Sequence, residues 1–332
     1  MALIVQKYGG TSVADPERMR NVARHIATTQ SQGNQLVIVV SAMGKATDNL
    51  LDLARQVSSA PTGREMDMLL TTGERISMSL LCMALQDLGV DAMSFTGSQV
   101  GIITDTVHGR AKILEIKGDR VREALSEGKV AVVAGFQGVS TAKESTTLGR
   151  GGSDTTAVAL AAALKADVCE IYTDVTGVFT ADPRIVPQAR KLKHLEFDEM
   201  LEMAGAGSKV LALRSVEFAR NHNVPIHVRS SFTWEQGTWV TGEVRKGEQN
   251  MEEPIISGVV HDASDAKITV LGVPDQPGVS AALFEPLASA NVNVDMIVQN
   301  TSTAGTTDIS FTLPKTDVAN AQPIVERIAK QV

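Results

Sequence analysis

The most regular pattern in this chain is a set of short apolar runs, each followed by a segment that contains glycine. Leu36–Val40, Val130–Phe136 and Val168–Tyr172 are rich in β-branched residues and have few polar positions. Such runs are typical of strands that are buried on both faces of a parallel sheet. Leu3–Val5 is a shorter run of the same kind at the start of the chain. The pattern predicts the central sheet of an α/β domain.

Segments with helical spacing lie between these runs. Asp15 is a suitable N-cap and Pro16 a suitable first residue for a helix. The apolar residues of that helix fall on one face: Met19, Val22, Ala23 and Ile26. Thr71–Leu88, Ile116–Glu127 and Ser208–Asn221 have similar spacing. Alternation of strands and helices predicts a mainly parallel sheet covered by helices on both faces.

The character of the chain changes near residue 246. Residues 246–264 begin as a charged stretch with few apolar positions, which predicts a linker between a domain at 1–245 and a smaller one at 265–332. The smaller domain shows a β-α-β-β-α order. Its predicted elements are a strand at Lys267–Val273, a helix at Val279–Ala290, strands at Asn293–Gln299 and Thr307–Leu313, and a helix at Val318–Val332.

Composition sets limits on function. The chain has 332 residues, 43% of them hydrophobic, and its net charge of -7 gives no reason to expect binding to nucleic acid or to an anionic membrane. Cys82 and Cys169 lie inside apolar runs and are interpreted as reduced core residues. No signal-like segment and no apolar run of membrane-spanning length is visible, so a soluble cytoplasmic protein is expected.

The strongest chemical signal is the glycine-rich stretch Thr147–Thr156, which lies between a strand and a helix. Its backbone N–H groups and the helix dipole favour an anion. Arg150 offers a planar fork for a carboxylate or phosphate, while Asp154 calls for a cation nearby. The alternative is an ordinary turn in which Ser153 or Asp154 is the N-cap.

Further polar segments lie where sheet strands are predicted to end. Lys7–Ser12 follows the first strand, and Thr173–Arg184 follows the strand at Val168–Tyr172. Lys7 alone is equally consistent with a solvated surface residue. Glu74 is either a first-turn carboxylate stabilised by a helix dipole or a ligand for an amino group. The sequence lacks the G-x-x-x-x-G-K-[ST], H-R-D and D-F-G patterns of the best-known phosphoryl-transfer families.

Together the motifs K-x-G-G-T-S, T-T-G-E and G-R-G-G-S-D occur in the order found in the amino-acid kinase superfamily. More closely, the chain resembles bacterial aspartokinases of the lysine-sensitive or concerted-feedback type, along its whole length. The resemblance implies an αβα sandwich, ATP as phosphate donor with Mg²⁺ held through its phosphates, L-aspartate as acceptor, and no metal site made by protein side chains.

The resemblance also implies roles for individual residues. Lys7 would contact the transferred phosphate, and Asp154 would organise Lys7 at the transfer centre. Substrate contacts would come from Thr47, Glu74, Arg150, Gly151, Gly152 and Ser153. ATP contacts would come from Lys7, Tyr8, Gly9, Gly10, Ser41, Thr173, Asp174, Phe179, Arg184 and Lys209. Many members of the family have Tyr where Phe179 stands, so a hydroxyl contact is lost there while packing stays possible.

The C-terminal region resembles an ACT domain, a small ferredoxin-like α+β module that binds amino acids. The resemblance implies lysine and/or threonine as effectors, and a homo-oligomer or heteromer formed through these domains. The effector residues would be Asp275, Gly278, Ser280, Asp295 and Gln299. A purely structural, oligomerising domain is the alternative. An ACT fold ends with a fourth strand, whereas this chain stops after its second helix, so the domain is expected to be incomplete at its C-terminus.

These features favour an aspartate kinase that catalyses phosphate transfer by positioning its two substrates. A carboxylate is already a nucleophile, so the site needs alignment and charge compensation rather than a base. Two alternatives stay open: another amino-acid or carbamate kinase of the same superfamily, and a non-catalytic effector-binding subunit. Intact Lys7, Arg150 and Asp154 favour a working enzyme over the latter.

Overall fold

The structure is a computed structural model that describes residues 1–242, 256–290, 292–299 and 305–329. The chain divides into two compact units, Met1–His261 and Asp262–Val332. Of the linker predicted at 246–264, residues 246–255 lie outside the described residues.

The first unit is built on an eight-stranded sheet. Its strands are β1 (Leu3–Tyr8), β2 (Gln35–Val40), β3 (Ala92–Phe95), β6 (Val130–Ala134), β9 (Val168–Thr173), β10 (His194–Glu196), β11 (Ile226–Ser230) and β12 (Thr238–Thr241), and a smaller sheet contains β4 (Ile102–Thr104), β5 (Ile113–Ile116), β7 (Gln137–Ser140) and β8 (Ser145–Thr147). The large sheet has the order β10-β12-β11-β9-β1-β2-β6-β3, and its antiparallel pair is β11–β12. The smaller sheet, in the order β5-β4-β7-β8, was not predicted from sequence.

Helices cover both faces of the large sheet. They are α1 (Pro16–Ser31), α2 (Ala46–Val57), α3 (Arg64–Gln86), α4 (Gly97–Val100), α5 (Asp119–Ser126), α6 (Gly152–Leu164), α7 (Phe197–Gly205) and α8 (Leu213–His222). One core lies between the sheet and α5–α8, and a second lies between the sheet and α1 with α3. The αβα sandwich expected from the sequence is confirmed.

Several helix boundaries differ from the prediction. Helix α3 begins at Arg64, not at Thr71, so the interpretation of Glu74 as a first-turn carboxylate is wrong. Helix α5 begins at Asp119 because Ile116 ends strand β5 and Gly118 turns the chain with a φ of 69°. Helix α8 begins at Leu213, five residues later than the predicted Ser208.

The observed N-cap of α6 differs from the one in the alternative interpretation of the glycine-rich stretch. The cap is Gly151, in the left-handed region, and it is followed by a helix that begins at Gly152. Ser153 and Asp154 therefore lie inside the first turn. The interpretation of either residue as an ordinary N-cap is wrong.

Helix α3 is long and apolar enough to cross a membrane by length and composition, and half of its most apolar window is buried inside the protein. Leu81, Cys82 and Leu85 of this helix lie in the core against the sheet. It is thus packed as a core helix of the sandwich.

A buried polar network joins β1, β9 and β11 beneath α1. Glu170 is its centre: it accepts hydrogen bonds from Gln6 at 2.8 Å, from Tyr172 at 2.9 Å and from Arg229 at 3.1 Å. His227 adds a contact at 3.6 Å. Burial opposes the charge on this carboxylate, but the contacts with His227, Gln6 and Arg229 outweigh it and lower the pKa of Glu170 to about 2.

The second unit contains a three-stranded antiparallel sheet covered by two helices. Its elements are β13 (Asp265–Pro274), α9 (Val279–Ser289), β14 (Ile297–Gln299), β15 (Thr306–Pro314) and α10 (Val318–Ala329), with the strands in the order β13-β15-β14. Its core includes Leu283, Leu287, Ile309, Phe311 and Val325. The predicted β-α-β-β-α order and α+β class are confirmed.

Candidate active site

Lys7 and Asp154 form an ion pair at the edge where the strands of the large sheet end. Lys7 Nζ lies 2.6 Å from Asp154 Oδ1, and each side chain is about nine-tenths buried, with 11% and 12% exposed. Lys7 is one residue from the end of β1, while Asp154 lies in the first turn of α6. The cation that Asp154 was expected to need is therefore Lys7, and the surface-residue alternative for Lys7 is wrong.

The conformation of the loop before α6 requires glycine at position 151. Gly151 has a φ of 68°, and a Cβ there would lie 2.3 Å from the Cβ of Ala212. The chain before α8 thus packs directly on the loop. Arg150, the residue before Gly151, is exposed, whereas Ser153 is buried in the first helical turn beside Lys7's partner.

Glu74 reaches the same edge from the other side. Its Oε1 accepts a hydrogen bond from the N–H of Ala42 at 3.1 Å, just after the end of β2. Gly73 allows this approach, because a Cβ there would lie 2.8 Å from the Cβ of Ala42. Glu74 Oε2 is buried and has no hydrogen-bond partner among the described residues. Burial raises the pKa of Glu74 to about 7.

The loop after β2 is tied to the loop after β1. The N–H of Ser41 donates to the carbonyl of Tyr8 at 3.1 Å, and the N–H of Gly44 donates to the carbonyl of Gly10 at 3.0 Å. Thr47 lies half-buried in the first turn of α2. The predicted residues of both loops therefore share one edge of the sheet.

Tyr8 occupies a different place from its neighbours in the motif. Its ring is buried and stacks on Tyr172, with ring centroids 4.7 Å apart, on the side of the sheet covered by α1. Its hydroxyl lies 2.9 Å from Nδ1 of His25. Only the backbone of Tyr8 is at the loop, while the N–H of Gly9 donates to the carbonyl of Tyr172 at 3.2 Å.

The remaining predicted ATP residues lie on more open loops. Thr173 ends β9, beside β1 in the sheet, and its hydroxyl donates to exposed Asp174 at 3.2 Å. Phe179 is half-buried, and Lys209 is exposed in the segment between α7 and α8. The side chain of Arg184 is 86% exposed.

Arg184 is already paired in this structure. Its guanidinium binds Asp182, with Nη2 to Oδ2 at 2.7 Å. The hydrogen bonds from Arg184 lower the pKa of Asp182 to about 2. A phosphate that uses Arg184 has to compete with this neighbour.

Sequence reasoning missed a group of polar contacts behind the glycine loop, centred on the buried residues Asp67 and Thr147. Asp67 contacts His108, Gly109 and Thr147, and Arg214 donates to the carbonyls of Leu148 and Ala111. A signal was present: Asp67 falls on the same helical face as Leu70 and Leu81, and a carboxylate on an apolar face is a buried one.

The predicted effector residues lie around the first turn of the second unit. Gly278, with a φ of 96°, is the N-cap of α9, and exposed Asp275 lies in the turn before it. The hydroxyl of Ser280 donates to Oε1 of Gln299 at 3.4 Å, which joins α9 to β14. Asp295, also exposed, donates its N–H to the carbonyl of Thr312 in β15.

Known protein families match both units. Residues 2–230 match the model of the amino acid kinase family, and residues 267–332 match that of the ACT domain. The chain belongs to the amino acid kinase family. Within it, the chain is 62% identical to the aspartokinase of Mycolicibacterium smegmatis over 315 residues, which cover 94% of this chain and 74% of that protein. It is 57% identical to the aspartokinase of Corynebacterium efficiens, covering all of this chain and 79% of that protein.

Solved structures agree with this assignment. Aspartate kinase from Synechocystis is 50% identical, with a TM-score of 0.68, and the match covers 98% of this chain and 55% of that one. Aspartokinase III of E. coli in complex with aspartate and ADP is 27% identical, with a TM-score of 0.76, covering 94% of this chain and 79% of that one. The protein is a kinase of the aspartokinase group, which transfers phosphate to a carboxyl group.

Proposed function

We propose that the chain transfers the γ-phosphate of ATP to the side-chain carboxylate of L-aspartate, giving ADP and 4-phospho-L-aspartate. The observation that carries this proposal is Glu74 Oε2, a buried carboxylate oxygen without a partner among the described residues. It lies at the same sheet edge as a glycine loop with Arg150. One site therefore offers a hydrogen-bond acceptor for an ammonium group and a hydrogen-bond donor for a carboxylate. That combination fits an amino acid better than a simple carboxylic acid. The two relatives compared above are both aspartokinases, which supports the same acceptor.

In this mechanism the protein aligns aspartate with the γ-phosphate of ATP and offsets their negative charges. Arg150 and Ser153 hold aspartate carboxylates, with Thr47 and the loop glycines 151 and 152 beside them, and Glu74 binds the ammonium group. A side-chain carboxylate oxygen attacks the γ-phosphorus, and the bond to the bridging oxygen breaks with its electron pair going to ADP. Lys7 stabilises the charge on the transferred group, while Asp154 holds Lys7 Nζ at 2.6 Å.

The nucleotide lies, in this proposal, along the loops after β1 and β9. Gly9 and Gly10 line the triphosphate, and Ser41, Thr173, Asp174, Phe179, Arg184 and Lys209 surround the rest. The described residues contain no group of three or more His, Cys, Asp or Glu side chains placed to hold a metal. In this proposal Mg²⁺ would be held through the phosphate oxygens of ATP, where it offsets negative charge.

The test is turnover with a panel of amino acids. Purified protein with ATP and Mg²⁺ receives L-aspartate, L-glutamate, N-acetyl-L-glutamate or carbamate, and hydroxylamine traps any acyl phosphate as a hydroxamate. Hydroxamate formed with L-aspartate supports the proposal. Formation with another acceptor alone would assign a different kinase of the superfamily, and ADP binding without turnover would assign a non-catalytic subunit.

The chemistry of the product suggests where the reaction lies in metabolism. An activated aspartate carboxyl is ready for reduction to the aldehyde, so we propose that the enzyme opens the route to lysine, threonine and methionine in the cytoplasm. Enzymes at such entry points are controlled by end products. The ACT domain supplies a region for that control.

We further propose that lysine and/or threonine bind near the turn before α9 and lower activity. N–H groups at the start of α9 suit the effector carboxylate, and Asp275 suits its ammonium group. Asp295 and the Ser280–Gln299 pair lie on neighbouring elements. Assembly into a homo-oligomer, or a heteromer through ACT domains, is part of this proposal.

Asp275→Ala tests the effector site. It should relieve inhibition while basal activity stays within about twofold, with coupling between effector and substrate of about 1–3 kcal/mol in the unchanged protein. Activity is measured against lysine and threonine, singly and together. Inhibition that is equally strong in Asp275→Ala would place the effector elsewhere.

A further inference from the structure

Thr238 is the first residue of β12, and its side chain is completely buried. Its hydroxyl makes two hydrogen bonds at once. It accepts one from the N–H of Val178 at 2.8 Å and donates one to the carbonyl of Leu192 at 2.6 Å. A hydroxyl can be donor and acceptor together, which neither a methyl group nor an ammonium group can be. One side chain therefore joins two separate segments of the chain.

The two segments are the arms of a hairpin that follows β9, formed by residues 178–192. The N–H of Leu192 donates to the carbonyl of Val178 at 2.8 Å, so the arms are also bonded to each other where Thr238 holds them. One step further along, Phe179 forms an isolated antiparallel bridge with Lys191. The contacts of Thr238 thus lie at the base of the 178–192 hairpin.

The fit between this base and β12 is close. Gly177 has a φ of 148°, and a Cβ there would lie 2.6 Å from Oγ1 of Thr238. A larger residue at this position would therefore displace the hydroxyl. A second contact lies nearer the surface, where Nζ of Lys191 donates to the carbonyl of Gln236 at 2.8 Å. The hairpin is fastened to the start of β12 by both contacts, of which only that of Thr238 is fully buried.

Two of the residues proposed above to surround ATP, Phe179 and Arg184, belong to the 178–192 hairpin. We propose that Thr238 is a positioning residue for the nucleotide, because its hydroxyl joins the two arms in the arrangement that binds ATP. Without the hydroxyl, the N–H of Val178 loses its partner and the arms separate more readily. A smaller fraction of the protein is then ready for ATP, and the apparent affinity falls by that fraction. The inference rests on the proposed function and adds a residue that acts through the hairpin.

Two variants at this position test the inference: Thr238→Val removes the hydroxyl and keeps the shape, whereas Thr238→Ser keeps the hydroxyl. In Thr238→Val, the KM for ATP and the Kd for ADP from calorimetry should both rise about five- to tenfold, the factor expected for the loss of about one hydrogen bond. The kcat at saturating ATP and the KM for aspartate should stay within about twofold. Thr238→Ser should return both nucleotide values to within about twofold of the unchanged protein.

The matched control is Thr104→Val, at another completely buried threonine, which lies in the smaller sheet. Its hydroxyl contacts the carbonyl of Asp105 at 2.8 Å and the hydroxyl of Thr146 at 2.7 Å. This variant should lose stability in thermal unfolding, as Thr238→Val does, but its KM for ATP should stay within about twofold. If Thr238→Val does not fold, Thr238→Ala makes the same test with the same expected result, since it also removes the hydroxyl.

Other outcomes overturn the inference. Equal increases in the KM for ATP and the KM for aspartate, or nucleotide values in Thr238→Ser that match those of Thr238→Val, would leave Thr238 as a purely structural residue. The same holds if Thr104→Val weakens ATP binding as much. If the unchanged protein binds ADP but forms no hydroxamate with aspartate, the proposed function fails instead, and the Kd for ADP in the variants still tests Thr238. The two failures are therefore distinguishable.

Discussion

The two sides of the candidate site are built differently. On the aspartate side, formed by Glu74 and the loop 148–154, internal contacts hold the site in place: buried Asp67 and half-buried Arg214 fasten the loop, and the N–H of Ala42 binds Glu74. On the nucleotide side, formed by residues 173–184 and Lys209, exposed side chains such as Arg184 pair with their own neighbours. The aspartate side is therefore organised before substrate binds. On the nucleotide side, the side chains have to exchange their internal partners for phosphate groups. Specificity is expected to reside in the aspartate side.

Lys7 lies where the two sides meet, and its removal is expected to have the largest effect. Lys7→Ala should lower kcat by about 10²–10³, since it removes stabilisation of charge on the transferred phosphate. Steady-state kinetics in both substrates measure this. Lys129→Ala, which removes a lysine paired with Glu127, is the control. A variant changed only in the KM for ATP would make Lys7 a ground-state binding group.

Arg150→Ala should damage the aspartate side alone. A charged, bidentate contact is worth about 2–4 kcal/mol, so kcat/KM for aspartate should fall about thirtyfold to several hundredfold. Nucleotide affinity, measured by calorimetry with ADP, should be nearly unchanged. Arg220→Ala, at an exposed pair with Asp198, is the comparison variant. Aspartate kinetics within about twofold of the unchanged protein would show that Arg150 does not bind the substrate.

The pKa of Glu74, about 7, makes the aspartate side sensitive to pH. Below that pKa the carboxyl is protonated and cannot pair with an ammonium group, and above it the anion can. The KM for aspartate should therefore fall about five- to tenfold between pH 6 and pH 8. The KM for ATP measured in parallel is the reference. Glu74→Gln should weaken aspartate binding and remove the pH dependence; if the dependence persisted in this variant, another group would be its source.

The smallest effect is expected from Arg184. Arg184→Ala should raise the KM for ATP by about three- to fivefold, because the gain from binding phosphate is partly offset by the lost pair with Asp182. The KM for aspartate should not change. Asp182→Asn frees Arg184 and should leave the KM for ATP equal or lower. An increase in the KM for ATP in Asp182→Asn would show that the pair itself shapes the nucleotide loop.

The sequence predicted those parts of the fold whose signals are local. Buried strands such as Leu36–Val40 are continuous apolar runs, and the end of β1 follows from the glycines after Lys7. The pairing of Lys7 with Asp154 depends on two segments far apart in the chain, and only the charge of Asp154 hinted at it. The small sheet of β4, β5, β7 and β8 was missed because its strands are three or four residues long.

Side-chain direction was the other limit of sequence reasoning. Tyr8 and Lys7 are adjacent in one motif, yet strand geometry sends them to opposite faces of the sheet, so only Lys7 points into the site. The start of α3 was misplaced because its first turns contain both charged residues and apolar ones. Because the predicted helix began only at Thr71, Asp67 lay outside it, and its place on the apolar face was missed.

The network around Glu170 also has a consequence for folding. Gln6, Glu170 and His227 are direct neighbours across β1, β9 and β11. A slip of one residue between any two of these strands would move an acid or a base to the other face, among aliphatic side chains. The wrong alignment is thus penalised by an unpaired buried charge as well as by lost packing. Exchanging one of these strands with that of a relative should therefore succeed only when the interacting polar residues are exchanged as a single block.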